Sequence, residues 1–300
     1  MLKATLSRII LSASLLMLCT AQAEEVKIRL GDLTLNAQLQ KAGQNWPKGP
    51  VMLITHGTLA HNAMEIVATL QTLFAERGVS SLAINLSLGL DDRHGMYPCK
   101  TPHRHKHTDA LNEIGAWLDW LKGQGVEQVV LLGHSRGGNQ SAWFAAERAA
   151  PQVSRVVLIA PATWNADRQV AQYSERYGKP LAPIRAEAEN MVAKAAGGQL
   201  IEGVDFIYCQ DTSATAEAFA DYYAREPRMD TPYLLPKIEQ PVLVFVGSED
   251  QVVRGLEEAV TPLADGSRIR LEVIDGADHF FRDLYAEDLA DITLEFIEQQ

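Results

Sequence analysis

Apolar and polar positions alternate along residues 26–39. Val26-Lys27-Ile28-Arg29-Leu30 places an apolar side chain at every second position, Gly31-Asp32 supplies a turn, and the alternation resumes from Leu33 to Leu39. A period of two on either side of a turn predicts two antiparallel strands. After a loop at 45–50 the pattern changes. Val51-Met52-Leu53-Ile54 is a continuous apolar run, the mark of a strand buried on both faces. Helical spacing follows over 64–77 and stops at Gly78. A strand is expected over 79–86. A helix is expected over 109–122, with Leu111, Ile114, Trp117, Leu118 and Leu121 on one side. Then come a strand at 129–132, a helix at 139–149 and a strand at 155–159. The last elements are a strand at 241–246, a helix at 255–264, a strand at 269–274 and a helix at 280–297.

Strands alternating with helices at this spacing imply right-handed crossovers. The predicted class is α/β: a mostly parallel central sheet with helices on both faces. Residues 163–235 interrupt the alternation. They are polar, rich in alanine and without a buried-strand pattern, and are expected to form a helical cap inserted into one domain spanning 24–300. No internal repeat or low-complexity tract is present.

The first residues read differently. Lys3 and Arg8 precede an apolar run from Ile9 to Leu18, and Ala21-Gln22-Ala23 gives the small-x-small pattern of a signal-peptidase site. Residues 1–23 are read as a signal peptide, which implies a secreted, periplasmic protein. An uncleaved anchor is disfavoured because the run is shorter than the roughly 18 to 20 residues that span a bilayer. A lipid-modified Cys19 is disfavoured because Leu18 stands where a small residue is needed. No later segment is apolar for long enough to cross a membrane.

Net charge is −11, and removing Lys3 and Arg8 with the leader lowers it by two to −13. Phosphate backbones repel such a chain, which argues against nucleic acid as a partner. Two cysteines remain, Cys99 and Cys209. An oxidising compartment favours a disulfide between them, and two buried thiols are the alternative.

Gly133-His134-Ser135-Arg136-Gly137 matches G-x-S-x-G. It follows the apolar run VVLL and precedes a helix, the strand–turn–helix setting in which a serine hydroxyl projects from a sheet. Gly133 and Gly137 let strand and helix approach closely, and the helix N-terminus adds partial positive charge. This stretch resembles the nucleophile elbow of the α/β-hydrolase family, and the likeness extends over most of 26–300.

The resemblance implies a Ser-His-Asp triad with Ser135 as nucleophile. The family order is serine, acid, histidine, and His279 is the sole histidine after Ser135. Gly247-Ser248-Glu249-Asp250 is similar to the family's acid turn, so Asp250 is expected to orient His279, ahead of Glu249. Asp278 adjoins His279 and is read as a loop-solvating residue. Thr55-His56-Gly57-Thr58 resembles the start of the oxyanion loop. The implied donors are the amides of Thr58 and Arg136, with Leu59 a substitute for Thr58. His56 is read as a loop organiser.

Residues 88–107 hold Arg93, His94, Lys100, His103, Arg104, His105, Lys106 and His107. This basic island is expected to be a solvated loop. A rim for anionic substrates and a metal site are the alternatives, and no acidic or cysteine cluster completes a metal-ligand set. A Cys99–Cys209 bridge would tether the cap to this loop.

The implied activity is hydrolysis of a small-molecule carboxylic ester through an acyl-enzyme, with no cofactor. Thioester and amide cleavage use the same parts. A non-catalytic hydrolase-like binding module is the alternative. Oligomeric state is not legible.

Overall fold

The computed structural model describes residues 23–43 and 46–299. The expected leader, its cleavage site and Cys19 lie outside the described residues, apart from Ala23. In chain order the strands are β1 (Glu24–Leu30), β2 (Leu33–Gln40), β3 (Val51–Thr55), β4 (Ser80–Asn85), β5 (Val129–His134), β6 (Val153–Ile159), β7 (Leu200–Phe206), β8 (Cys209–Thr215), β9 (Val242–Gly247) and β10 (Ile269–Ile274). The helices are α1 (Glu65–Glu76), α2 (Asp109–Gly123), α3 (Arg136–Glu147), α4 (Ala166–Tyr177), α5 (Leu181–Ala193), α6 (Ala216–Tyr222), α7 (Thr231–Leu234), α8 (Leu256–Val260) and α9 (Leu284–Glu298).

Eight strands form one sheet in the order β1-β2-β4-β3-β5-β6-β9-β10. Within this sheet only the pairings made by β2 are antiparallel; β4, β3, β5, β6, β9 and β10 run parallel. The chain lays β4 on one side of β3 and then crosses to place β5 on the other. Loops leaving the carboxyl ends of β3 and β5 diverge there, which opens a crevice at the switch point. Register brings these ends level: Thr55 lies opposite Gly133, His134 opposite Ile159, Ile159 opposite Phe245, and Gly247 opposite Ile274.

The continuous apolar runs make sense because both faces of the sheet are covered. Met52, Ile54, Val130, Leu132 and Val157 pack with Ile66, Leu70 and Phe74 of α1 and Leu289 and Phe296 of α9. The intervening Leu53, Leu131, Val156 and Leu158 pack in the opposite cluster with Ile114 and Trp117 of α2 and Trp143 of α3. Each fully buried side chain of this size contributes roughly 1.5 to 3 kcal/mol.

The chain between β6 and β9, where the insert was expected, carries α4, α5, α6 and α7. It also contains an unexpected antiparallel hairpin of β7 and β8. Register shifts on β7 around Gly203, which has φ +66°, break the period of two. Its partner buries Thr212, Ser213 and Thr215 alongside Cys209 and Ala214. Their backbone is satisfied from outside the hairpin. The His103 amide donates to Ser213 O at 2.8 Å, and the Thr215 amide donates to His103 O at 2.8 Å.

The solvated-loop reading of 88–107 is therefore corrected. Its chain meets β8 where His103 pairs with Ala214, and from His103 to His107 alternate residues point inward. His103, His105 and His107 are buried, as is Arg93, whereas Arg104 is exposed. Cys99 and Cys209 form a disulfide with a Cα–Cα distance of 5.2 Å. Two helix starts also differ from expectation: α3 begins at Arg136, directly on the elbow, and α9 begins only at Leu284.

Candidate active site

Ser135 directly follows β5 with φ +56° and ψ −122°, a conformation rarely adopted by residues with a Cβ. The surroundings hold it there. Its amide donates to Ile159 O at 2.9 Å, and its carbonyl accepts from the amides of Gly138 and Ala162 at 3.0 and 2.9 Å. The two glycines of the motif are required by space. A Cβ on Gly133 would stand 2.4 Å from Gly137 O, and one on Gly137 would stand 2.3 Å from His56 O. The short turn places the N-terminus of α3 directly beside the serine.

The loop after β3 borders the elbow. A Cβ on Gly57 would come 3.2 Å from Ser135 Cβ. Arg136 Nε donates to Thr58 Oγ1 at 3.0 Å, so the two implied oxyanion residues are tied together. Thr58, Ser135 and Arg136 line one cavity of about 600 Å³ beneath the insert. Leu59 has φ +54°, and its carbonyl accepts from the Tyr97 amide at 2.9 Å.

His56 lies behind this loop. Its Nε2 accepts from the Leu86 amide at 3.1 Å, which leaves Nδ1 to donate to Gly57 O at 2.9 Å. Burial, aided by the nearby Arg93 charge, lowers its pKa to about 3, so the ring is neutral. Arg93 was not singled out as a loop anchor by its sequence. Its guanidinium donates to Leu86 O at 2.8 Å, Ala60 O at 2.8 Å and Asn85 Oδ1 at 2.9 Å, pinning the loops after β3 and β4 to each other. Burial lowers its pKa to about 10.

The acid and the histidine meet at the ends of β9 and β10. His279 Nδ1 donates to Asp250 Oδ2 at 2.8 Å, and both side chains are buried. Asp250 Oδ1 accepts from the amides of Val252 and Val253 at 2.7 and 2.9 Å. Burial alone raises the Asp250 carboxyl; the hydrogen bonds from His279, Val253 and Val252 outweigh it and leave the pKa lowered. The carboxylate is thus ionised and accepts from Nδ1, which leaves Nε2 as the ring nitrogen not bonded to it. Glu249 is exposed. Asp278 instead accepts from the Phe280 amide at 2.8 Å. A Cβ on Gly247 would stand 2.5 Å from Ala277 O, so that glycine permits the two loops to touch.

His134 is a further residue that the motif left as a variable position. Its Nε2 donates to the His279 main-chain carbonyl at 2.9 Å, and the ring centroids lie 4.8 Å apart. Burial lowers its pKa to about 4. The residue preceding Ser135 therefore anchors the loop that carries His279. Among the described residues, no hydrogen bond joins the Ser135 hydroxyl to the His279 ring, a contact that often closes only when substrate is bound.

The three inward histidines of the 88–107 loop are engaged with protein groups. His103 Nδ1 and His105 Nε2 lie 3.2 Å apart, and His105 Nδ1 lies 2.9 Å from Tyr222 Oη. His107 Nε2 donates to Asn139 Oδ1 at 2.9 Å, and its Nδ1 accepts from Arg136 at 3.3 Å. Burial lowers His103 to about 4 and His107 to about 3. Among the described residues one metal-type grouping occurs, Glu25, Asp92 and His94, and the Lys27 ammonium already bridges its two acids.

An eight-stranded, mostly parallel sheet with a serine on a strained strand-to-helix turn defines the α/β class of hydrolases. The profile of the alpha/beta hydrolase family matches residues 51–292, and the chain belongs to that family. No curated protein matches the chain. Among solved structures it is similar to Est1E from Butyrivibrio proteoclasticus, with 20% identity over 92% of this chain and 99% of that one and a TM-score of 0.63. A monoacylglycerol lipase from Paleococcus ferrophilus shares 18% identity over 88% of this chain and 98% of that one, with a TM-score of 0.59. An E-2-(acetamidomethylene)succinate hydrolase shares 20% identity over 93% and 100%, with a TM-score of 0.57. At these identities the likeness is one of fold. No helix among the described residues is long and apolar enough to cross a membrane.

Proposed function

We propose that this hydrolase cleaves carboxylic esters through an acyl-enzyme, using Ser135, His279 and Asp250. The observation that carries the reading is the buried His279–Asp250 pair, 2.8 Å apart, whose loop is tied to His134, the residue beside the strained Ser135. His279 Nε2 takes the hydroxyl proton as Ser135 Oγ bonds to the ester carbon. The carbonyl π electrons move onto oxygen, where the amides of Thr58 and Arg136 receive the charge. Collapse of that intermediate breaks the bond to the alkoxy group, which leaves with the proton from His279. Water repeats the sequence and releases the acid. Asp250 stabilises the imidazolium without being protonated.

The monoacylglycerol lipase among the structural neighbours supports an ester substrate; amide and thioester cleavage would use the same groups. The disulfide and the leader pattern support export to an oxidising compartment such as the periplasm. A fluorophosphonate probe tests the nucleophile. The reading expects labelling of the wild type and none of folded Ser135→Ala. A folded wild type that never labels would instead mark a non-catalytic binding module.

A further inference from the structure

The cavity beside Ser135 is cationic in a protein whose net charge is −11. Arg136, Arg168, Arg176 and Arg254 line it, against one lining acid, Glu175. Among the described residues none of these four guanidinium groups lies within 4.0 Å of a carboxylate, whereas elsewhere Arg77 and Arg228 each hold two and Arg270 holds one. We propose that the site takes esters bearing a carboxylate close to the scissile carbonyl; the proposal rests on the hydrolase reading above.

Arg136 is the centre of the argument. It follows Ser135 directly and is half-buried. Its guanidinium donates to Thr58 Oγ1 and to neutral His107 Nδ1, and it lies 5.2 Å from the centre of the Tyr222 ring. These are uncharged partners that fix its direction without cancelling its charge. Asp221 feels the charge, but its carboxylate accepts from the His107 amide at 2.7 Å and is not in contact with the guanidinium. A partly desolvated cation without a counter-ion is unfavourable unless a ligand supplies one. One planar guanidinium matches one carboxylate.

The other three arginines are exposed at the mouth. Arg168 donates to Arg254 O at 3.0 Å, Arg176 to Ile207 O at 2.9 Å and Arg254 to Gln251 O at 3.3 Å. Asp230 is near enough to sense Arg168, yet its carboxylate is taken up by the Trp164 amide at 2.9 Å. Backbone contacts therefore hold the mouth arginines while leaving their charge open to steer an anion inward. The anionic-rim alternative read from the sequence fits these residues rather than the loop at 88–107.

A matched pair of substrates tests this: p-nitrophenyl hemiglutarate, charged, against p-nitrophenyl valerate, neutral. The expected kcat/KM ratio is at least about 10 in favour of the charged ester, a difference of one guanidinium–carboxylate contact. It should shrink as ionic strength rises from about 0.01 M to about 0.15 M. Arg136→Gln should lower the ratio about tenfold. The ratio cancels general damage to turnover, and should that variant fail to fold, Arg168→Gln/Arg254→Gln is expected to flatten the salt dependence. Both esters turned over at equal efficiency, with no response to salt or to either variant, would overturn the charge preference and leave the hydrolase reading intact. If neither ester is turned over, the hydrolase reading fails and binding to Ser135→Ala decides the inference. Calorimetry should then show glutarate monoanilide binding at least about tenfold more tightly than valeranilide; equal affinity overturns it.

Discussion

His134 Nε2 donates to the main-chain carbonyl of His279 across the gap between the ends of β5 and β10, at 2.9 Å. The residue before Ser135 thus ties down the loop that carries His279. His134→Phe keeps a ring but removes the donor. Loss of the tether should let the 275–283 loop shift and lower kcat by about 10². Steady-state kinetics on a p-nitrophenyl ester check this. A change under twofold would show that the loop is held without it.

The acid assignment is tested by a pair of variants. Asp250→Asn should lose about 10⁴ in turnover, because an amide no longer holds the imidazole tautomer or stabilises its charged form. Glu249→Gln should stay within about twofold, since that side chain is exposed. The reverse ranking would move the acid to Glu249.

The elbow glycines bear on stability as much as on chemistry. A Cβ on Gly137 would enter the His56 and Thr55 carbonyls at 2.3 and 2.4 Å. Gly137→Ala should destabilise by more than about 3 kcal/mol, through backbone displacement or failure to fold. Urea unfolding measures it. A midpoint equal to wild type would mean that the turn relaxes freely.

Acid should unfold the protein early. Burial lowers His56, His103, His107 and His134 to about 3, 4, 3 and 4, below the ordinary 6.5. Below pH 6.5 the unfolded chain takes up protons that the folded one refuses, so stability falls as pH drops from 6.5 toward 3–4. Asp250, with its lowered pKa, adds loss in the same direction at lower pH. Glu113, raised by burial to about 7, opposes them, as do the carboxyls of Asp109, Asp221 and Asp230, also raised by burial, and His94, raised by its hydrogen bond to Glu25. Tm should fall by more than about 5 °C between pH 7 and pH 5. A flat or rising Tm would contradict the neutral buried rings.

The disulfide closes a sequence separation of 110 residues and joins the 88–107 loop to the hairpin. Replacing both cysteines by serine should cost about 2–4 kcal/mol. It should also raise KM, since the hairpin tip at Ile207 and Tyr208 lines the cavity. Peptide mapping without reductant that found both thiols free would remove the basis for this expectation.

The sheet was legible because burial on both faces imposes continuous apolar runs, as in Val51-Met52-Leu53-Ile54 and Val129-Val130-Leu131-Leu132. The elbow was legible because Gly133 and Gly137 have no substitute there. The hairpin was not: its buried strand reads Thr212-Ser213-Ala214-Thr215, and the extended loop that satisfies it is distant in sequence. For the same reason His103, His105 and His107 look like solvent-facing basic residues until that pairing is seen. His134 and Arg93 carry no local signal, since each acts through a main-chain carbonyl far along the chain.

Trapping the covalent intermediate tests the central claim most directly. Acid-quenched enzyme taken during turnover of a p-nitrophenyl ester should gain one acyl mass, and peptide mapping should place it on Ser135. An adduct on another residue, or steady hydrolysis with no adduct and undiminished activity in Ser135→Ala, would contradict the account.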